Sequence, residues 1–152
     1  MRIYIDTSVI GGFLDDEFKE WSLRLFSEFA SGKKIAVISD LTRGELQTAP
    51  GAVRAILDKV PPSGCEAILL GEEARALGNA YLRDGAADPG FLVDALHIAL
   101  ATIARVDVLT SWNFKHIVNW RRIRLYNAVN LKEGYGMIDI RSPREVLDEE
   151  DI

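Results

Sequence analysis

RIYIDTSV, residues 2–9, is the stretch that decides the architecture. Ile3, Tyr4 and Ile5 run together without a polar break, as in a short strand buried on both faces. Asp6 ends the run, and Thr7 or Ser8 can cap a helix that begins at once. A strand passing directly into a helix is the opening unit of an alternating α/β chain.

The same alternation continues downstream. Trp21, Leu23, Leu25, Phe26 and Phe29 give a helical stripe that stops at Ser31-Gly32. Residues 34–39 read as a second strand, and Asp40 or Thr42 can start the helix that carries Glu45. Residues 52–59 form a further helix ended by Pro61-Pro62, 65–70 a weaker strand, and 72–83 a helix closed by Asp84-Gly85. Residues 91–104 are apolar on nearly every side and predict a deeply buried central helix. A strand over 107–111, a helix over 121–132 and a strand over 137–141 follow. Ser142-Pro143-Arg144-Glu145 has the spacing of a capping box. Strands alternating with helices predict three layers, α/β/α, around a mostly parallel sheet. No repeat or linker interrupts the pattern, so residues 1–152 read as one domain, with 148–152 as an acidic tail.

A hydrophobic share of 48% with 27% charged residues excludes a disordered chain. Cys65 stands alone, which rules out an internal disulfide and suits a reducing cytoplasm. Met1-Arg2 leads straight into the first strand, so no signal peptide is expected, and the segment 91–104 is too short to span a bilayer. The net charge of −5 argues at first against a nucleic-acid partner. Four of those charges sit in the terminal run Asp148, Glu149, Glu150 and Asp151, while Lys115, Arg121, Arg122 and Arg124 cluster after the third strong strand. Net charge therefore excludes nothing.

Four polar residues stand where a strand stops or a helix starts: Asp6, Glu45, Asp94 and Asn113. In a parallel sheet the carboxyl ends of the strands share one edge, where open α/β sheets place their ligands. Three carboxylates and an amide gathered there make a seat for a hard divalent cation, with Asp6 and Asp94 as the direct ligands. Asp6 has a plainer reading as a helix cap, and Glu45 alone is weak evidence. Asp94 is stronger, because Leu92, Val93, Ala95, Leu96 and Ile98 around it look buried and an isolated carboxylate there is costly. His97 lies on the same helix face as Asp94 and reads as a contact to phosphate, as a partner of Asp94, or as a satisfied core histidine. Ser8 can support Asp6 or touch a substrate phosphate, and Ser111, Lys115, Arg121 and Arg122 are candidates for holding substrate. Asp107 begins its strand and so belongs to the opposite edge, while Gly11-Gly12 suggests close packing of the first helix. Trp112, Phe114 and Trp120 read as core or interface residues.

With these residues in place, the chain resembles PIN-domain proteins of the VapC toxin type. The resemblance runs through YIDTSVIGG (4–12), ISDLTRGEL (38–46), DALHIALA (94–101), VLTSWNFKHI (108–117) and IDIRSPREVL (138–147) in that order. It maps the family's acids on Asp6, Glu45 and Asp94, and implies a parallel sheet between helices with Mg²⁺ or Mn²⁺ in an acidic pocket. It further implies a ribonuclease cleaving RNA phosphodiester bonds in the cytoplasm, a small antitoxin protein as partner, and a homodimer. The departure is Asn113, where many such proteins carry an aspartate; a neutral group there leaves the pocket less negative. The alternative reading is a PIN domain without catalysis that binds RNA or protein. A phosphotransfer enzyme with an aspartyl nucleophile is excluded, since Ser8 stands where a second aspartate would be required.

Overall fold

The computed structural model describes residues 1–148; the expected acidic tail, apart from the backbone of Asp148, lies outside the described residues. Five strands form one all-parallel sheet: β1 (Arg2–Ile5), β2 (Ile35–Ser39), β3 (Cys65–Ile68), β4 (Val108–Thr110) and β5 (Ile140–Arg141). Their order across the sheet is β3-β2-β1-β4-β5, which puts the first strand at the centre. The helices are α1 (Thr7–Gly11), α2 (Lys19–Ala30), α3 (Asp40–Leu46), α4 (Gly51–Asp58), α5 (Glu72–Arg83), α6 (Leu92–Ile103), α7 (Trp120–Lys132) and α8 (Pro143–Asp148).

Alternation along the strands divides the core in two. Tyr4, Val37 and Leu109 face α5, α6 and α7, where Tyr81, Ile98 and Tyr126 pack. Ile3, Ile5, Ala36, Ile38 and Val108 face the other side, against Val9, Leu25, Phe29, Val53 and Leu147. The three-layer α/β/α arrangement expected from the element order is the one observed.

Several boundaries differ from the sequence reading, each for a local reason. Thr7 and Ser8 are already helical, and Asp6, in an extended conformation, caps α1 by accepting from the Val9 amide. Likewise Ser39, rather than Asp40 or Thr42, caps α3 through the Thr42 amide. The last strand is only two residues, because the Asn127 side chain takes both the N–H and the C=O of Ile138 (2.7 and 3.1 Å) in place of a neighbouring strand. Leu92 and Val93 are exposed, so α6 is buried only from Ala95 to Thr102. The capping box is present in full: Glu145 N–H donates to Ser142 Oγ at 3.3 Å, and Ser142 N–H to Glu145 Oε1 at 3.2 Å.

The two glycines after α1's first turn are not equivalent. A Cβ on Gly12 would lie 2.7 Å from Ser22 Oγ and 2.8 Å from Trp112 Nε1, two atoms that hydrogen-bond each other at 2.9 Å. A Cβ on Gly11 meets nothing within 4 Å, and its φ of −59° is helical. Gly12→Ala should therefore destabilise by about 1–3 kcal/mol. Gly11→Ala should stabilise by about 0.5–1 kcal/mol. Urea midpoints of the two variants, moving in opposite directions, are the check.

Candidate active site

Because β1 lies between β2 and β4, the chain leaves the sheet in opposite directions on either side of it. In open parallel sheets such a switch point, at the carboxyl ends of the strands, is where ligands are seated. Asp6 follows β1, α3 brings in Glu45 after β2, and Ser111 and Asn113 follow β4. Asp94 enters from the first turn of α6. Asp107 stands at the other edge, accepting from the Arg2 backbone at 2.6 Å, as its place in the strand implied.

Asp6 is 4% exposed. Ser8 Oγ donates to its Oδ1 and Ser111 Oγ to its Oδ2, both at 2.6 Å. The two serines are themselves 3.2 Å apart, and they accept from the Trp112 and Asn113 amides, so their hydroxyl hydrogens point at Asp6. Ser8 and Ser111 thus hold the carboxylate in place. Burial pushes the Asp6 carboxyl above its ordinary range, with His97 and these donors pulling the other way.

Glu45 carries a side chain 37% exposed, yet it is pinned. Thr7 Oγ1 (2.8 Å) and His97 Nε2 (2.7 Å) both bond its Oε1, which leaves Oε2 without a bond among the described residues. The His97 hydrogen bond is the main reason the Glu45 carboxyl lies below its usual value. His97 is 2% exposed, and its Nδ1 meets Tyr4 Oη at 2.7 Å. It is not a direct partner of Asp94; it is the satisfied core histidine of the sequence reading, and its ring ties α6 to Glu45.

Asp94 is half-buried and takes no hydrogen bond among the described residues. Desolvation raises its carboxyl, the charges of Asp6 and Glu45 add to that, and His116 and His97 offset it. His116 stacks on Phe91 with ring centroids 3.7 Å apart. Asn113 Oδ1 accepts from the Lys115 and His116 amides (3.2 and 3.0 Å), so its carbonyl caps the turn after β4 and its amide nitrogen is what remains to offer.

Lys115 and Arg121 are exposed, with no side-chain partner among the described residues. Arg122 is committed, donating to Asp88 (2.8 Å) and to the Ala86 carbonyl (3.0 Å). Trp112 is buried, stacked on Phe18 and bonded to Ser22, as a core residue. Phe114 and Trp120 are exposed, at 49% and 71%.

The donor set suits a hard divalent cation. It is made of oxygens, and Asp94 accepts no hydrogen bond among the described residues. Among the described residues, no three His, Cys, Asp or Glu side chains form a ready ligand group. Two clefts of about 440 Å³ lie elsewhere, and neither is lined by Asp6, Glu45 or Asp94. Sequence reasoning missed Tyr4, Thr7 and His116. Tyr4 in an otherwise aliphatic strand was the one visible signal, since a buried hydroxyl requires a partner.

No protein-family model matches the chain, and no curated protein matches it either. Among solved structures it is similar to VapC20 of Mycobacterium tuberculosis, described as a sarcin-ricin loop cleaving toxin. The TM-score is 0.55 at 14% identity, over 75% of this chain and 92% of that one. It is also similar to a chain in VapBC2 from Rickettsia felis, bound to a DNA fragment from their promoter. There the TM-score is 0.60 at 15% identity, over 93% of this chain and 98% of that one. At such identities the likeness is one of fold, and the fold is the PIN-like α/β/α sandwich of the VapC toxins.

Proposed function

We propose that the protein is a metal-dependent endoribonuclease acting as the toxin of a toxin–antitoxin pair. The observation that carries this reading is the gathering of Asp6, Glu45 and Asp94 at the switch point, where among the described residues no Lys or Arg pairs with them. The fold likeness to VapC20, a toxin that cleaves the sarcin-ricin loop, supports RNA as the substrate. The likeness to VapBC2 supports an antitoxin partner. A homodimer in the cytoplasm completes the proposal; among the described residues no helix is long and apolar enough to cross a membrane.

A bound Mg²⁺ or Mn²⁺ would offset the carboxylate charge, polarise a phosphoryl oxygen and make water a stronger nucleophile at neutral pH. Asp6 and Asp94 would hold the ion, Asp6 being fixed in orientation by Ser8 and Ser111. Glu45 Oε2 is free to orient the attacking water, because its other oxygen is held by Thr7 and His97. Asn113 would offer its amide N–H to a phosphate oxygen, and Lys115 and Arg121 would hold flanking phosphates. Replacing both cations with alanine should weaken RNA binding and flatten its salt dependence by about 0.7 log units for each phosphate no longer neutralised. Filter binding between 50 and 200 mM salt, about the range over which such ion pairs are felt, provides the test; an unchanged slope removes these two residues from the RNA path.

The experiment for the whole reading is incubation of total RNA with purified protein and Mn²⁺, Mg²⁺ or EDTA, beside Asp94→Asn. Metal-dependent cutting that disappears in the variant supports the nuclease. The engagement of Asn113 Oδ1 by two backbone amides favours a second reading, a PIN-like domain that binds RNA or protein without cutting. A folded protein that binds RNA but does not cut it with Mn²⁺ or with Mg²⁺ would establish that second reading instead.

A further inference from the structure

We propose that Tyr4 is a positioning residue, whose buried hydroxyl holds His97 as the Nε2–H tautomer and so aims the imidazole at Glu45. Its consequence for catalysis rests on the nuclease reading; the tautomer does not.

Tyr4 is fully buried in the central strand, where phenylalanine would fill nearly the same volume. Its hydroxyl lies 2.8 Å from Ser39 Oγ and 2.7 Å from His97 Nδ1, at the foot of a line of side chains leading to the carboxylates. The direction of each bond follows from the far end. An ionised Glu45 only accepts, so the 2.7 Å contact requires the hydrogen on His97 Nε2. Nδ1 of a neutral ring is then bare and must accept, which makes Tyr4 the donor. Ser39 Oγ accepts from the Thr42 amide at 3.1 Å, and its one hydrogen lies between the Tyr4 oxygen at 2.8 Å and Thr42 Oγ1 at 3.3 Å, which itself donates to the Ile5 carbonyl. Every hydrogen has a place, and no buried side-chain nitrogen or oxygen among the described residues lacks a partner.

Such a line matters because of where Glu45 sits. A glutamate near the end of a short helix, with a third of its side chain exposed, samples several rotamers. Two donors on Oε1 select one of them and leave Oε2 facing away from the bonds. Thr7 alone has a freely rotating hydroxyl; the ring of His97 is the rigid member, held at Nε2 by Glu45 and at Nδ1 by Tyr4.

The test reads the ring nitrogens directly. In metal-free, ¹⁵N-histidine-labelled protein at pH 8, the wild-type His97 should show the Nε2–H pattern, and Tyr4→Phe should shift it toward a mixture with Nδ1–H. A wild-type ring in the Nδ1–H or doubly protonated form overturns the proposal without reference to any variant. An unchanged tautomer in folded Tyr4→Phe overturns it as well. In RNA cleavage, Tyr4→Phe should lower kcat about three- to tenfold with KM unchanged, the size of one hydrogen bond. His97→Gln, which keeps an N–H for Glu45, should retain about tenfold more activity than His97→Leu, within the range of such indirect effects. Equal losses in those two variants count against the relay. If the wild-type protein cuts no RNA, the nuclease reading fails by itself, and the ring spectrum still decides whether Tyr4 sets the tautomer.

Discussion

Asp94→Asn and Asp6→Asn should each lower metal-dependent RNA cleavage by about 10²–10³-fold. A metal acting as Lewis acid supplies several kcal/mol of transition-state stabilisation. At about 1.4 kcal/mol per factor of ten, losing most of it gives that range. Asparagine keeps the shape of the side chain, so the loss reports charge and ligation rather than packing. The two positions should nevertheless differ in a second respect. Asp6 receives two serine hydroxyls and the Val9 amide, and asparagine there must turn its NH₂ toward one of those donors. Asp94 receives none, so its asparagine variant should fold without local conflict. Initial rates on a fixed RNA in saturating Mn²⁺ measure the effect. Activity within tenfold of wild type in Asp94→Asn would remove Asp94 from the ligand set.

The same substitution should make the metal-free protein more stable. The Asp94 carboxyl is raised chiefly by desolvation and further by Asp6 and Glu45, so its ionised form is disfavoured in the fold. With a folded value above the unfolded one near ~3.9, the contribution of this group is fully present below that value. It is lost as pH rises through the raised folded value. Near pH 4 wild type and Asp94→Asn should therefore differ little. By pH 7 the variant should melt higher, by about 2–4 °C for each kcal/mol relieved in a domain of this size. Glu45 is lowered and pulls the opposite way, but it is common to both proteins and drops out of the difference. Saturating Mn²⁺ should reverse the order, since only the wild type gains from binding. Thermal melts at pH 4, 5.5 and 7, with EDTA and with Mn²⁺, test all of this. A variant less stable than wild type at pH 7 in EDTA would mean that Asp94 makes a favourable contact in the fold.

How much of this was legible beforehand differs between the sheet and the site. The strands, the α/β/α layering and the gathering of Asp6, Glu45 and Asp94 at one edge follow from local signals. Buried strands read as unbroken Ile and Val runs, and parallel strands bring their carboxyl ends together. The resemblance carried by YIDTSVIGG and DALHIALA pointed to the fold that the structural likenesses bear out. Boundaries were less legible where a side chain displaced a backbone partner, as Asn127 does beside the last strand.

By itself, then, the sequence determined the layered parallel fold and the edge at which its acids meet. Both depend on hydrophobic periodicity and chain direction, which are local properties. Only the tertiary structure decided what each polar group does there. It spent the hydroxyls of Ser8 and Ser111 on Asp6 and committed Arg122 to Asp88. It also joined Tyr4 to Glu45 through a histidine 93 residues away from that tyrosine. Hydrogen bonds reach about 3 Å and depend on angle, and no spacing along a chain encodes which donors the fold will bring that close.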